Sequence, residues 1–327
     1  MLLRVARVRS SFLKSSISPV FLVLCALIFL YVNYTTWSLP NSIHHNTPPP
    51  LIPTTAPATT TGIPRILWYK HGPQGLSDEA KEYLAFCLKN NPGYESKFLT
   101  DESGDAYVQE NFAAHRPDIV DLYLSLKIPI LKADLLRHLL LLREGGIWND
   151  LDVSCGETPI DDWIPERYKK DTNLVVGWEF DVGWGDNFVR EFETWTIMAK
   201  QNSPHLSMVI NDTVQGLHDL SVEKNVSISE LTIELLGDGG VVDMTGPRRM
   251  TWSIMKSLKS TLQNGFEESD TYNLTEPMLV KDVLIMPGFS FAASSNHYAE
   301  DDPVGPALVT HHYAGSWKNE HGGETKE

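Results

Sequence analysis

Hydrophobic and polar positions divide this chain into three stretches. Val20 to Val32 is unbroken apolar sequence, and with Ile17, Tyr34 and Trp37 it extends to roughly 18–20 residues, enough for one bilayer-crossing helix. Residues 38–62 are rich in Pro and Thr and carry no charge, a composition that stays extended and solvated. From residue 63 the pattern alternates between strands and helices. Ile63 to Tyr69 is β-branched and aromatic and predicts a strand. Ser77, followed by Asp78 and Glu79, predicts the capped start of a helix that stops at Asn90-Asn91-Pro92-Gly93. Glu95 to Leu99 predicts a second strand. The clearest helix runs from Ile128 to Arg143, with Pro129 in its first turn and Gly145 as its stop. Leu131, Leu135, Leu139 and Leu142 recur at helical spacing, and Asp134, Arg137 and His138 share one face. Gly145-Gly146 lets the chain turn sharply into a short strand, Ile147 to Asp152. Further strands are predicted at Asn173 to Trp178 and Val283 to Met286, and helices at Asn187 to Lys200 and Pro204 to Leu217. This alternation places the body in the α/β class, and no repeat of fixed period points to a solenoid or propeller.

Charge sharpens the division. The chain has 327 residues, 27 Lys+Arg and 42 Asp+Glu, for a net charge of −15. Every acidic residue lies after residue 62, so the body, 63–327, holds 42 acids against 23 bases. The four remaining bases, Arg4, Arg7, Arg9 and Lys14, precede the apolar run. Positive charge on that side, with Tyr31, Tyr34 and Trp37 on the other, orients a span with its N-terminus in the cytosol. The expected plan is a cytosolic tail, 1–16; a transmembrane signal anchor, 17–37; a stem, 38–62; and a lumenal domain, 63–327. A cleaved signal peptide is the alternative, but no small-x-small pattern directly follows the run. Three sequons, at Asn211, Asn225 and Asn273, agree with a lumenal body. Cys87 and Cys155 could pair there or stay as buried thiols. So acidic a body excludes a nucleic-acid binder, and 42% hydrophobic residues with nine Trp exclude a disordered one.

The chemistry concentrates in Asp150-Leu151-Asp152. On an extended segment, carboxylates two residues apart point the same way and can grip one hard cation, Mg²⁺ or Mn²⁺. Such a cation neutralises a diphosphate leaving group. The carboxyls of a glycosidase stand further apart, on separate elements, so hydrolysis fits this pair less well.

Several separated blocks, over about residues 63–318, resemble the glycosyltransferases with a DxD sugar-binding motif, glycosyltransferase family 32. They are Lys132-Ala133-Asp134-Leu135-Leu136-Arg137, Gly145-Gly146-Ile147-Trp148-Asn149-Asp150-Leu151-Asp152, the opening Ile63 to Trp68, Gly177-Trp178-Glu179, Thr194-Trp195-Thr196, Thr245-Gly246-Pro247, Met286-Pro287 and His311 to Lys318. They are similar, in the same order, to blocks in a fungal branch of that family, the initiation-specific α-1,6-mannosyltransferases. The resemblance implies a GT-A-like, Rossmann-type fold and a retaining, Mn²⁺- or Mg²⁺-assisted transfer from GDP-mannose to an N-linked glycan on glycoproteins. It also implies a single-pass type II Golgi membrane protein with its catalytic domain in the lumen, and association with a Golgi transferase complex. By position it implies Asp150 and Asp152 at the metal and diphosphate, with His311 as a third metal or phosphate contact. It places Asp134 and Arg137 at the donor sugar or ribose and Trp68 at the base. Trp317 and Lys318 would close over the diphosphate, with Lys318 catalytic.

Read from the residues alone, Asp134 and Arg137 form a helix-face ion pair and Trp68 is a core residue. Glu179 or Asp181, after a predicted strand, is a candidate sugar contact. Leu135-Leu136 replace the aromatic pair usual in the mannosyltransferases, and Arg248-Arg249 stand where smaller residues are expected. These departures bear on the acceptor. An inositol-phosphoceramide acceptor, or a non-catalytic lumenal sugar-binding protein, are the other readings.

Overall fold

The computed structural model describes residues 62–185, 188–262 and 266–324. All of them fall in one compact unit, Pro50–Glu327. The expected tail and span, and the stem up to residue 61, lie outside the described residues. Among the described residues no helix is long and apolar enough to cross a membrane. Even the 21-residue helix Pro204–Lys224 carries Asp212, Asp219, Glu223 and Lys224. That finding corrects the expected single-pass Golgi-membrane placement, which is not carried further.

The body is mixed α/β with a central sheet. Strands β1 (Ile66–Lys70), β2 (Glu95–Leu99), β3 (Gly146–Asn149), β5 (Leu174–Gly177), β6 (Thr196–Ala199), β7 (Met278–Val280) and β8 (Val283–Met286) form a seven-stranded sheet in the order β2-β1-β3-β6-β5-β8-β7. Two more strands, β4 (Val153–Cys155) and β9 (Val309–His311), pair with each other. In the main sheet β1 runs parallel to β2 and β3, and β5 parallel to β8, while β6 and β7 run antiparallel to their neighbours. The carboxyl ends of β1, β2, β3, β5 and β8 therefore share one edge.

Helices cover both faces. Helix α1 (Asp78–Asn90) begins where expected, with the Ser77 side chain accepting from the Ala80 amide at 3.1 Å. Helix α4 (Pro129–Glu144) follows α2 (Asp101–Phe112) and α3 (Pro117–Ser125). It packs with α5 (Pro204–Lys224) and α6 (Pro247–Thr261) through Leu135, Leu139, Val209 and Ile254, against Trp68, Trp148 and Val176 of the sheet. Leu67, Ile147 and Val175 point the other way, towards Cys87, Trp163 and Phe291. This two-residue alternation is what a sheet buried on both faces requires. Cys87 of α1 is bonded to Cys155 of β4, so of the two states open to these thiols the fold adopts the bridge.

One expectation fails for a physical reason, and α2 is a helix that the sequence pattern does not predict. A helix over 187–200 does not form, although Asn187 itself lies outside the described residues. Its last part is β6, which pairs with β3 (Gly146↔Ala199 through Asn149↔Thr196), and this tertiary ladder overrides local propensity. Helix α2 escapes a periodicity search because it buries only Gly104, Val108 and Phe112, one residue per turn. Between α4 and β3 the chain reverses at Gly145 and Gly146, both at positive φ. A Cβ on Gly146 would lie 2.8 Å from the Ile66 carbonyl oxygen.

Candidate active site

A cleft of about 610 Å³ runs along the carboxyl edge of the sheet. Strand β3 enters it and stops at Asn149, whose side chain accepts from the Thr196 hydroxyl at 2.8 Å. Asp150 and Asp152 follow, in a tight turn closed by the Val153 amide donating to the Asp150 carbonyl (3.2 Å). The extended geometry expected for this pair is thus corrected: the acids project from a turn between β3 and β4. The turn is held on both sides. The Asp150 amide donates to the Trp195 carbonyl at 2.9 Å, and the His312 amide donates to the Asp152 carbonyl at 2.8 Å.

The two carboxyls sit in different electrostatic settings. Asp150 Oδ1 accepts from the Trp148 indole at 2.6 Å and lies 3.7 Å from Arg137 Nη2. Enclosure by protein pushes its pKa up, opposed by the Arg137 charge. Asp152 Oδ2 accepts from the Ala314 amide at 2.9 Å and lies 3.3 Å from His311 Nε2. Burial pushes its pKa up too, but the His311 hydrogen bond and charge and the Ala314 amide outweigh it, so Asp152 is held below the usual carboxylate range. The structure therefore favours the ionised form at Asp152 more strongly than at Asp150.

Behind the turn, Arg137 is almost fully buried. Nη2 lies 3.0 Å from Asp134 Oδ1, Nη1 donates to the Thr194 carbonyl at 2.5 Å, and the guanidinium lies over the Trp148 ring. The Thr245 hydroxyl donates to Asp134 Oδ2 at 2.7 Å. Asp134 and Arg137 line the cleft as expected, but each is already engaged by the protein. The helix-face ion pair and the cleft position are both real, and a buried pair so enclosed costs heavily to break. His138 beside them is fully buried, and its ring nitrogens have no hydrogen-bond partner. Burial lowers its pKa to about 3, so it is neutral.

The opposite wall is rich in acids. Glu179 follows β5, and its amide donates to the Glu191 carbonyl at 2.8 Å. Glu191 pairs with Arg248 at 3.3 Å, and Arg248 also reaches Asp243. Deeper still, Glu193 Oε2 accepts from the Thr196 amide at 2.8 Å. Burial and the neighbouring Glu191 raise the Glu179 pKa to about 8, with Lys318 opposing, and burial raises Glu193 well above the usual range. The sequence singled out Glu179 but missed Glu191 and Glu193. The one signal for them was an acid at every second position through Glu191 and Glu193, next to the Thr194-Trp195-Thr196 block.

The remaining expected residues divide. Lys318 and Trp317 line the cleft, with the ammonium 5.6 Å from the Trp317 ring centre. His311 lines it as well, stacked on Trp195 at 4.1 Å. Among the described residues, however, no three His, Cys, Asp or Glu side chains converge as a metal cluster. The expected trio of Asp150, Asp152 and His311 is not assembled that way, because His311 is turned onto Asp152. His312, just past the end of β9, lines another part of the same cleft, stacked on Tyr83 and 2.9 Å from the Ser154 hydroxyl. Trp68 is not brought to the cleft. It is buried behind β3, with its indole donating to the Gly145 carbonyl at 2.9 Å, so it braces the glycine turn.

Comparison with known proteins fits this geometry. Residues 77–170 match the family model described as a glycosyltransferase sugar-binding region containing a DXD motif. The chain is 35% identical to the initiation-specific α-1,6-mannosyltransferase of Schizosaccharomyces pombe over 79% of this chain and 64% of that protein. It is 26% identical to the Candida albicans protein of the same name, over 79% of this chain and 73% of its length. The chain thus spans less than two thirds of the S. pombe relative. Among solved structures, the PaToxG glycosyltransferase aligns with a TM-score of 0.40 at 16% identity, covering 62% of this chain and 74% of that one.

Proposed function

This chain carries the sugar-binding region of the DXD glycosyltransferases, and from that premise we propose that it transfers a mannosyl unit from GDP-mannose to a mannose-rich glycan. The observation that carries the reading is the placement of Asp150 and Asp152 at the carboxyl end of β3, open to the cleft and backed by Arg137. Their side chains are 29% and 24% exposed, which leaves both accessible to a ligand.

These two acids fit a shared Mn²⁺ or Mg²⁺. Such ions keep several waters and take one or two carboxylates together with substrate phosphates, so no third protein ligand is required. When bound, the cation neutralises the donor diphosphate and makes it a better leaving group. His311 then serves to orient Asp152 and keep it ionised. Arg137 sets the position of Asp150 and places a fixed positive charge behind it.

In the transfer the bond between the mannosyl C1 and the diphosphate oxygen breaks. A bond from C1 to an acceptor hydroxyl oxygen forms on the same face, so the α configuration is kept. The hydroxyl proton passes to the departing phosphate oxygen, and GDP is released. Lys318 offers a positive charge to the diphosphate as its negative charge grows.

The test is cation-dependent release of GDP from GDP-mannose with a high-mannose glycan, beside UDP-glucose and UDP-galactose. GDP-mannose is expected to be the preferred donor. Asp152→Ala is expected to lose about a thousandfold or more in turnover while melting as the parent does. Undiminished turnover in that variant, or preference for a UDP-sugar, would overturn the reading.

A further inference from the structure

Along the cleft edge the strands come in the order β1, β3, β6, β5, and their ends differ in chemistry. From β1 the chain leaves through α1 to β2 on one side and later returns as β3 on the other. Open α/β sheets bind nucleotides at such a switch point, outside the strand carboxyl ends. Here that crevice is lined by Lys70, Gly72, Ser77 and Tyr83. Next along the edge, β3 delivers the Asp150-Leu151-Asp152 turn. Furthest from the switch point, β5 delivers Glu179 and Phe180.

Glu179 stands apart from the other cleft carboxyls. Asp134 is held by Arg137 and Thr245, Asp152 by His311 and Ala314, and Glu191 by Arg248. Among the described residues no group hydrogen-bonds the Glu179 carboxyl, although the residue is only 9% exposed. Phe180 lies beside it in the cleft lining, its ring held edge-on by Trp184 at 4.9 Å. An unpartnered, largely buried carboxyl next to a ring face is what a sugar needs: one group for its hydroxyls and one for its C–H face.

We propose that Glu179 and Phe180 form the acceptor subsite, with the Glu179 carboxyl bonding a hydroxyl of the acceptor sugar and the Phe180 ring packing against it. This rests on the transferase reading above. The order along the edge then reads nucleotide, diphosphate, acceptor, which places the reacting carbon between Asp152 and Glu179. The charged groups that act on Glu179 are Glu191, Glu193 and Lys318, with Arg248 compensating Glu191. Burial beside two acids keeps Glu179 protonated at neutral pH, so it both donates to and accepts from hydroxyls.

The test needs binding as well as turnover. The full chain and its Glu179→Gln, Glu179→Ala and Phe180→Ala variants would be titrated calorimetrically with an α-linked mannobiose and, separately, with GDP plus Mn²⁺. Mannobiose affinity is expected to fall about tenfold or more in both Ala variants and to stay within about threefold in Glu179→Gln, which keeps a donor and an acceptor. Affinity for GDP with Mn²⁺ is expected to stay within about twofold in all three variants. Wild-type mannobiose binding should also weaken as pH rises through about 8, while the Gln variant should not respond. Unchanged mannobiose affinity in the Ala variants, loss of both ligands together, or no mannobiose binding by the wild type would each overturn the subsite. Mannobiose binding with the expected pattern but no binding of GDP would instead sink the donor reading and leave the subsite standing.

Discussion

The two walls of the cleft are built in opposite ways. The near wall comes from one stretch of chain, Lys70 to Asp152, in which α4 runs through the Gly145-Gly146 turn straight into β3 and its acidic turn. The far wall is gathered from 179–195, 241–247 and 311–318. On the near wall Asp134 meets Arg137, and Asp152 is met by His311 reaching across from the far wall. On the far wall three glutamates crowd together, and burial pushes their pKa values up. Under the proposed function, the near wall would take the anionic donor and the far wall, with its raised carboxyl pKa values, the uncharged, hydroxyl-rich acceptor. Under that same reading, the difference is how one cleft would serve two chemically unlike substrates.

Arg137 is where the walls meet, since it sits on α4 yet donates to the Thr194 carbonyl across the cleft. Arg137→Met would break the comparison most severely. Removing one member of a buried pair is expected to cost about 3–5 kcal/mol in chemical denaturation and to abolish transfer. If only activity were lost, the two walls would be mechanically independent.

The disulfide ties α1 of the near wall to β4, the strand that leaves the Asp150-Leu151-Asp152 turn. Cys87→Ser is expected to cost about 2–4 kcal/mol, read as a fall in melting temperature that reductant reproduces in the parent. Cation-linked GDP affinity should suffer more than mannobiose affinity, because the loosened segment carries Asp152. Equal losses would show that the walls do not separate.

The smallest effect sharpens the comparison from the far side. The Glu179 pKa is raised from 4.5 to about 8, so between those values the unfolded chain is ionised while the folded one keeps the proton. The native state then binds more protons, and stability falls as pH rises across that window. Glu179→Gln removes this contribution and should be at least ~1 kcal/mol more stable than the parent near the upper end, converging with it at acid pH. A slope left unchanged by the substitution would mean that Glu179 ionises normally and that the far wall is not neutralised in this way.

Much of the near wall was readable from local patterns. Ser77 before Asp78 and Glu79 marked α1, the leucine period marked α4, and Gly145-Gly146 marked the entry to β3, because caps, periodicity and glycine turns act over a few residues. The far wall left little trace. Thr196 to Ala199 has no local reason to be a strand until β3 lies beside it, and Glu191 and Glu193 look like surface acids until the fold encloses them. Trp68 shows the limit from the other direction. The family resemblance placed it at the base pocket, whereas its own residue type spoke for the core, and the core is where packing put it.

The sequence by itself determined the α/β alternation, the Asp150-Leu151-Asp152 pair and its glycosyltransferase kinship, since each is carried by short blocks of residues that can be read without knowing their distant partners. Tertiary structure alone decided that Cys87 meets Cys155, that His311 turns onto Asp152, and that Glu179 is left buried without a partner. Burial and pairing are properties of surfaces brought together from far along the chain, and no local pattern encodes which surfaces will meet.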